Sequence, residues 1–257
     1  MNLGFHPSNK VLVALGRTAK EYGLKAGVRF LQLAAKTKTT SAESGKNKVS
    51  VLKIIAATII STAIFIGSSV SGDEPVKLFN GKDLTGWTGA DYEVNDGKLI
   101  CRGKVLRTEK QYSDYILEFD FLLPPHGNNG LGIHYPGQGR PSGAGMELQI
   151  LDNSHPKYSK LKTSQYHGSL YKLQAAKRGF LKPVGEWNHQ KVTLHRAKVL
   201  VELNGTTILD ANLDELMSKY PKHKGVKRRT GYICFCGHGD PVQFRNITIL
   251  ELSGQSK

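Results

Sequence analysis

The amino-acid sequence predicts an all-β fold, a jelly-roll β-sandwich, over residues 73–257, behind an N-terminal export segment in residues 1–72. From Val76 onward, short runs of alternating apolar and polar residues are separated by turn-forming Gly, Pro, Asn and Asp residues, a pattern typical of half-buried strands. This part of the chain has no internal repeat and no long helical pattern. One β-sandwich domain is therefore enough to account for it.

The export segment is predicted from charge and hydropathy. Residues 1–53 carry ten Lys/Arg and two Glu, and the run from Ile54 to Val70 that follows is apolar and uncharged. Together with the small residues Ser69 and Ser71, this pattern predicts a signal peptide cleaved near 71–72. An uncleaved anchor is the alternative, because a membrane span needs ~17–25 apolar residues.

Either alternative places residues 73–257 outside the cytoplasm. The domain is then periplasmic or secreted, and a membrane is a partner only if residues 54–70 remain as an anchor that holds the domain on the outer side. The basic stretch ahead of the apolar run is long for a signal peptide, so a start codon further downstream is a second interpretation.

More than half of the excess positive charge belongs to the export segment. The whole chain has a formal net charge of +15, whereas residues 73–257 contain 26 Lys/Arg and 19 Asp/Glu. A balance this even predicts no nucleic-acid partner. The cluster Lys222–Arg229 (KHKGVKRR) is interpreted as a solvated loop, with a polyanion-binding patch as the alternative.

The three cysteines, Cys101, Cys234 and Cys236, have no metal-ligand spacing of the C-x-x-C kind. Cys234 and Cys236 lie two positions apart on one face of a predicted strand, which is unfavourable for pairing with each other. They are interpreted as small buried residues, with a disulfide between one of them and Cys101 as the alternative in an oxidising compartment.

The strand pattern can be followed along the domain. Asn95-Asp96-Gly97 and Asn204-Gly205 are hairpin turn signals. A single short helix is predicted, in DANLDELMSKY (210–220). The predicted strands are, in order, 92–94, 98–101, 115–123, 130–135, 146–151, 191–197, 198–203, 206–209, 231–236 and 242–252.

One predicted strand, in GMELQILD (145–152), carries polar side chains that suit chemistry. Alternation places Glu147 and Gln149 on the face opposite the apolar residues. If this strand and GLGIHY form a symmetric hairpin, His134 lies across from Glu147. A buried carboxylate can transfer protons.

Asp152 would join that face only through a β-bulge near Leu151, where it could bind a hard cation. The alternative is a solvent-facing polar surface.

Other candidate residues come from irregular segments. His167, Tyr171 and Lys172 in QYHGSLYK could project into the same cleft, and His238 lies in the Gly-flanked loop CGHGD. Each of them could equally be a surface, turn or packing residue. The sequence contains no nucleophile elbow, no phosphate-binding loop and no zinc site.

A series of motifs runs in order through the domain: LFNGKDLTGW (78–87), DGKL (96–99), YSDYILEFDF (112–121), NNGLGIHY (128–135), MELQILDN (146–153), GSLYKL (168–173), KPVGEWN (182–188), ELNG (202–205) and FRNITILEL (244–252). This series resembles the 3-keto-disaccharide hydrolase family, also described as a 3-keto-glucoside 1,2-lyase and 3-keto-2-hydroxy-glucal hydratase domain. The resemblance implies a concanavalin- or laminin-G-like jelly roll that is exported and acts on a carbohydrate, a 3-keto-glycoside.

The resemblance also implies a reaction, in which a base removes the acidified proton beside the ketone, the aglycone leaves by β-elimination, and water adds to the resulting glucal. Glu147 is then expected to be the base and His134 its partner or the general acid. Asp152 would hold a divalent cation that polarises the ketone, or orient His167, and no organic cofactor is expected. The expected substrate-binding residues are Gln149, His167, Tyr171, Lys172 and His238.

Two other functions remain open on the sequence. A retaining glycoside hydrolase would need Glu147 and Asp152 ~5–5.5 Å apart. A non-catalytic carbohydrate-binding or laminin-G-like module would present exposed aromatic side chains, whereas a perturbed carboxylate pKa would favour catalysis.

Overall fold

The computed structural model describes residues 74–89 and 92–252. The predicted basic region, apolar run and cleavage site all lie outside these residues. Within the described ranges, no helix is both long enough and apolar enough to cross a membrane.

Thirteen strands and two short helices make up the described part of the chain. The strands are Val76–Lys77 (β1), Trp87–Gly89 (β2), Glu93–Asn95 (β3), Lys98–Ile100 (β4), Lys104–Tyr112 (β5), Tyr115–Leu122 (β6), Asn128–Tyr135 (β7), Met146–Leu151 (β8), Trp187–His195 (β9), Lys198–Leu203 (β10), Thr206–Asn212 (β11), Gly231–Gly237 (β12) and Gln243–Glu251 (β13). The helices are Pro141–Ala144 (α1) and Leu213–Lys219 (α2), with 3₁₀ turns at Pro156–Tyr158, Thr163–Gln165 and Gly225–Lys227.

The strands form two antiparallel sheets that pack face to face. One sheet has the order β11-β10-β9-β6-β13-β4-β3, with β1 paired to β13, and the other has the order β2-β5-β12-β7-β8. Neighbours in the sheets are often distant in sequence, as in a jelly roll. The predicted all-β sandwich is therefore confirmed.

Alternation along the strands builds the core between the sheets. In β6, Phe119 and Phe121 are fully buried, whereas Glu118 and Asp120 point away from the core. Phe235 of the second sheet stacks on Phe244 with ring centroids 4.0 Å apart. Each such ring contributes about 1.5–3 kcal/mol by burial, so aromatic contacts between the sheets hold the sandwich together.

The strands differ from the prediction at several places: β1 and β2 were not predicted, and β7 begins two residues earlier than expected. The polar strand β5 was not predicted, because little of it beyond Leu106, Thr108 and Tyr112 is buried. Strand β9 begins at Trp187, four residues before the predicted start at 191. The predicted helix is shorter, because β11 continues to Asn212, whose side chain accepts hydrogen bonds from the amides of the first turn and thereby caps α2.

The predicted pairing of His134 with Glu147 is wrong. Gly132, not His134, lies opposite Glu147 in the β7–β8 pair. Against β12, one extra residue is accommodated in β7, because Tyr135 pairs with Tyr232 but Gly132 pairs with Cys234. His134 occupies this β-bulge with a φ of 49°, which breaks the alternation.

All three cysteines are buried and free. The Sγ atoms of Cys234 and Cys236 lie 3.8 Å apart. Hydrogen bonding with Cys234 and burial raise the pKa of the Cys236 thiol well above its ordinary value. The interpretation of these cysteines as small buried residues therefore agrees with the structure.

Candidate functional site

The candidate site lies on the outer face of the five-stranded sheet, at the β7–β8 pair. Glu147 and Gln149 project from β8, and the residues opposite them in β7 are Gly132 and Gly130. Although this face points away from the core, Glu147 is only 7% exposed and Gln149 only 4%. Other segments must therefore cover the face.

One covering segment is attached to the free edge of β8. The amide of Tyr171 donates to the carbonyl of Glu147 at 2.8 Å. The amide of Gln149 donates to the Ser169 carbonyl at 3.0 Å, and the amide of Gly168 donates to the Gln149 carbonyl at 2.8 Å. This short ladder satisfies backbone groups of the edge strand. It also carries the Tyr171 side chain to the edge of the polar face.

The second covering element is α1. Its residues Pro141 and Ser142 and the preceding Arg140 lie over the strand face. The basic cluster Lys222–Arg229 holds α1 in place: His223 Nε2 donates to the Ser142 carbonyl at 3.0 Å, and Arg228 Nε donates to the Ala144 carbonyl at 3.0 Å. The cluster is thus in part a structural support, and not only a solvated loop.

Between the sheet face and these two covers is a cavity of about 290 Å³. Glu147 is the only carboxylate among its lining residues. The lining residues are Val105, Asn128, Arg140, Pro141, Ser142, Glu147, Gln149, Leu151, Tyr158, Leu161, Gln165, Tyr171, Cys236, Gly237 and His238. The cavity therefore combines one acid with cationic, amide and phenol groups.

The two glycines of β7 leave room for the groups at the base of the cavity. A Cβ atom on Gly130 would lie 2.1 Å from Glu147 Oε1, and one on Gly132 would lie 2.3 Å from Cys234 Sγ. The absence of a side chain at Gly130 leaves room for the Glu147 carboxylate, and its absence at Gly132 leaves room for the Cys234 thiol.

Burial raises the pKa of Glu147 to about 7, while hydrogen bonding by the Ser142 side chain and the charge of Arg140 act in the opposite direction. A carboxyl group with this pKa changes its protonation state near neutral pH. It can therefore both accept and return a proton during a reaction.

Amide side chains provide further polar contacts. Gln149 Nε2 donates to Asn128 Oδ1 at 2.7 Å, and Gln165 Nε2 donates to the Tyr171 hydroxyl at 3.0 Å. These hydrogen bonds hold the amide groups of Gln149 and Gln165 in one orientation, which suits recognition of hydroxyl groups.

Of the residues predicted for the site, Glu147, Gln149, Tyr171 and His238 line the cavity. Burial lowers the pKa of His238, which favours the neutral form of its imidazole. Lys172 does not line the cavity, but its Nζ lies 5.2 Å from the centre of the Tyr171 ring, at the rim.

His134 lies elsewhere. Because of the β-bulge, its ring turns towards the β5–β6 connection, where Nε2 is 3.3 Å from the Ser113 carbonyl oxygen. Burial lowers the pKa of this imidazole. The structure does not bring His134 and Glu147 together.

His167 lies in the core rather than in the cavity. Its ring stacks on Phe121 with centroids 5.1 Å apart, and its Nδ1 accepts a hydrogen bond from the Leu151 amide at 3.4 Å. Complete burial lowers the pKa of His167 to about 3. The side chain is therefore a neutral packing residue.

Asp152 faces a second cavity, of about 640 Å³. Strand β8 runs without a bulge to Leu151, so strict alternation sends Asp152 away from Glu147. Its carboxylate accepts hydrogen bonds from the amides of His126 and Ser154, at 2.9 and 3.0 Å. Burial acts to raise the pKa of Asp152, but hydrogen bonds from Ser154 and His126 outweigh it and the pKa is lowered.

The surroundings of Asp152 do not suit a divalent cation. Both carboxylate oxygens already accept hydrogen bonds from Ser154 or His126. Across residues 74–89 and 92–252, no group of three or more His, Cys, Asp or Glu side chains is arranged to hold a metal ion. No chemical step is therefore assigned to a cation at this position.

Four residues that line the cavity were not predicted from the sequence: Arg140, Ser142, Asn128 and Gln165. Arg140 and Ser142 lie in a Gly/Pro-rich loop that has no periodic pattern. Asn128 was detectable, because extending the alternation of β7 by one pair places it beside Gly130 and Gln149 on the polar face.

Comparisons with known proteins agree with this architecture. The family model described as 3-keto-alpha-glucoside-1,2-lyase-like domain matches residues 74–250. The 3-keto-disaccharide hydrolase of Bacteroides thetaiotaomicron is 26% identical over 234 residues, which cover 71% of this chain and 80% of that protein.

Solved structures of similar proteins are also known. A protein of Parabacteroides distasonis, provisionally named a glycosyl hydrolase, has 27% identity and a TM-score of 0.63, covering 71% of this chain and 96% of its own. A second protein of that organism, with the same provisional name, has 24% identity and a TM-score of 0.63, covering 70% of this chain and 100% of its own, and this likeness concerns the fold.

Proposed function

This chain belongs to the 3-keto-alpha-glucoside-1,2-lyase-like domain family, and from that premise we propose that it cleaves 3-keto-glycosides by elimination followed by hydration. The observation that carries this proposal is Glu147, a single carboxyl group buried at the base of a polar cavity with its pKa raised to about 7. A base of this strength is what removal of a proton next to a ketone requires.

The reaction balances without a cofactor. The ionised base removes the C2 proton, and the electron pair moves to the C3 oxygen to form an enolate. The C1–O bond then breaks as the enolate collapses, and the departing oxygen takes up a proton. Water adds to C1 of the resulting glucal and a proton returns to C2, which completes a net hydrolysis.

We assign the proton transfer at C2 to Glu147. Arg140 and Ser142, which both act on the Glu147 carboxyl, are close enough to it to stabilise the enolate oxygen. His238, on the wall of the same cavity, is assigned to hydrogen bonding with the substrate. The leaving oxygen takes its proton from Glu147, which has gained one from C2. Gln149, Asn128 and Gln165 would bind sugar hydroxyls.

The alternative functions fit the cavity less well. A retaining glycoside hydrolase needs a second carboxylate opposite the first, and Asp152 faces a different cavity. A binding module needs no carboxyl group with a raised pKa, although Tyr158 and Tyr171 on the cavity wall could stack on a sugar. We retain from the sequence the proposal that the domain acts outside the cytoplasm.

The test is release of the aglycone by the full-length protein from a 3-keto-glucoside and from the parent glucoside, with and without EDTA. We expect release from the keto sugar alone, with no effect of EDTA, and a loss of at least about a hundredfold in Glu147→Gln. Glu118→Gln, an exposed carboxylate of the other sheet, is the matched control and should keep full activity. Release from the parent glucoside would instead indicate a glycoside hydrolase, and no release would indicate a binding module.

A further inference from the structure

The segment that covers the cavity has an unusual charge. Residues 153–185 contain six lysines and one arginine but no aspartate or glutamate, whereas residues 73–257 as a whole contain 26 Lys/Arg and 19 Asp/Glu. The excess of seven positive charges over negative ones in the domain equals the charge of this one segment. This segment lines both the candidate site and the second cavity, where Arg178 and Lys182 lie.

Two lysines of this segment lie against tyrosines at the edge of the cavity. Lys157 Nζ is 5.3 Å from the centre of the Tyr158 ring, and Lys172 Nζ is 5.2 Å from the centre of the Tyr171 ring. Both tyrosines line the cavity. Two further exposed lysines flank Leu161, which is also a lining residue. Arg140 adds a guanidinium group from the α1 side.

These cations have no acidic partners within the described ranges. No Asp or Glu oxygen lies within 4.0 Å of the charged nitrogens of Lys157, Lys172 or Arg140, in contrast to the lysines of the eight-stranded sheet. There, Lys191 pairs with Glu202 at 3.7 Å and Lys198 with Asp210 at 3.2 Å. Lys157 and Lys172 are therefore not neutralised by an ion pair, whereas the charge of Arg140 acts on the Glu147 carboxyl from beyond ion-pair distance.

A neutral sugar gives no reason for this arrangement, because hydroxyl groups are bound by amides and aromatic rings. Several like charges around one opening repel each other, and a ligand of opposite charge relieves that repulsion. Lysine ammonium groups on flexible stems can converge on an anion of varied shape.

We propose that the glycoside bound in this cavity carries an anionic group, a carboxylate or a sulfate ester, which Lys157, Lys172 and Arg140 bind at the cavity mouth. This inference rests on the proposed function, because it names the substrate class of the same site. The anion lies on the sugar or on the aglycone, and the two positions give separate arms of the test.

The experiment measures dissociation constants by calorimetry on the full-length protein with glycosides that lack the ketone, so that binding is observed without reaction. On the sugar side, methyl glucuronide and methyl 6-O-sulfoglucoside are compared with methyl glucuronamide. On the aglycone side, 4-carboxyphenyl glucoside is compared with 4-carbamoylphenyl glucoside. Both anomers of each are used.

In at least one arm, the charged ligand should bind about tenfold more tightly than its neutral partner at low ionic strength. This ratio of the two dissociation constants should fall at about 0.5 M salt, because the charges are exposed. In the double variant Lys157→Gln/Lys172→Gln the ratio should fall to about threefold or less. The matched variant Lys191→Gln/Lys198→Gln removes two lysines far from the cavity and should keep the ratio.

Equal affinity for charged and neutral ligands in both arms, no binding of any ligand, or a ratio unchanged in Lys157→Gln/Lys172→Gln would overturn the inference. Turnover of a neutral 3-keto-glucoside by the same samples tests the proposed function separately. Turnover without a charge preference overturns this inference alone. A charge preference without turnover supports the anion site and overturns the proposed reaction.

Discussion

The carboxylate of Glu147 lies directly over Gly130: a Cβ atom at position 130 would be 2.1 Å from Glu147 Oε1. Gly130 is not the residue opposite Glu147 in the ladder, since that position belongs to Gly132. The side chain of Glu147 therefore extends along the sheet, across the neighbouring strand, and takes the space that any other residue at position 130 would fill.

Gly130→Ala should therefore displace the carboxylate and lower kcat/KM for a 3-keto-glucoside at least about tenfold, because small displacements of a catalytic group are costly. The fold should persist, since the clash involves the end of a flexible side chain. Gly143→Ala, where a Cβ atom meets open space, is the control and should keep the wild-type rate. Steady-state kinetics and thermal melting would check both, and an unchanged rate in Gly130→Ala would contradict this placement of the carboxylate.

The kcat/KM for a 3-keto-glucoside should rise with pH and level off above pH 7. Glu147 acts as a base only when ionised, and burial raises its pKa to about 7. The Ser142 hydrogen bond and the Arg140 charge hold that pKa down, so Ser142→Ala and Arg140→Gln should each move the inflection of kcat/KM to higher pH. A profile that is flat between pH 5 and pH 9 would exclude Glu147 as the base.

Glu147 should also reduce stability at neutral pH. Its pKa in the folded protein, about 7, exceeds the ordinary value of 4.5, so the folded state holds the proton more tightly and its stability falls as pH rises from 4.5 to 7. Glu147→Gln lacks this loss. The free energy of unfolding of the variant, relative to the wild type, should therefore increase by up to about 3 kcal/mol between these pH values. Urea unfolding at several pH values would measure it, and a constant difference would refute the burial argument.

His167 should have the opposite effect in acid. Burial lowers its pKa from 6.5 to about 3, so the unfolded chain binds a proton that the folded one does not, and stability is lost as pH falls below 6.5. His167→Gln should be less stable than the wild type at pH 7 but should lose less stability between pH 6.5 and pH 4. His195 is an exposed histidine, so His195→Gln is the control for the change of unfolding free energy with pH. If the free energy of unfolding changes equally with pH in His167→Gln and the wild type, the His167 imidazole is not buried as a neutral group.

Much of this protein follows from local sequence. Alternation with a period of two predicted most strands and placed Glu147 and Gln149 on one face, because successive side chains of a strand point to opposite sides. The turn signals at Asp96-Gly97 and Asn204-Gly205 form the predicted hairpins, and all four residues have positive φ. The order of motifs identified the family, because each motif marks a turn or strand of the same architecture.

Tertiary structure decided which residues meet Glu147. One extra residue in β7 turned His134 away, since a β-bulge depends on pairing with β12, about a hundred positions later in the chain. Strict alternation, with no bulge at Leu151, sent Asp152 to the other cavity. Arg140 and Ser142 reach the site because His223 and Arg228, distant in sequence, hold α1 over it. The pKa of Glu147 follows from this cover, because burial by distant segments, and not the residue type, sets the desolvation of a carboxylate.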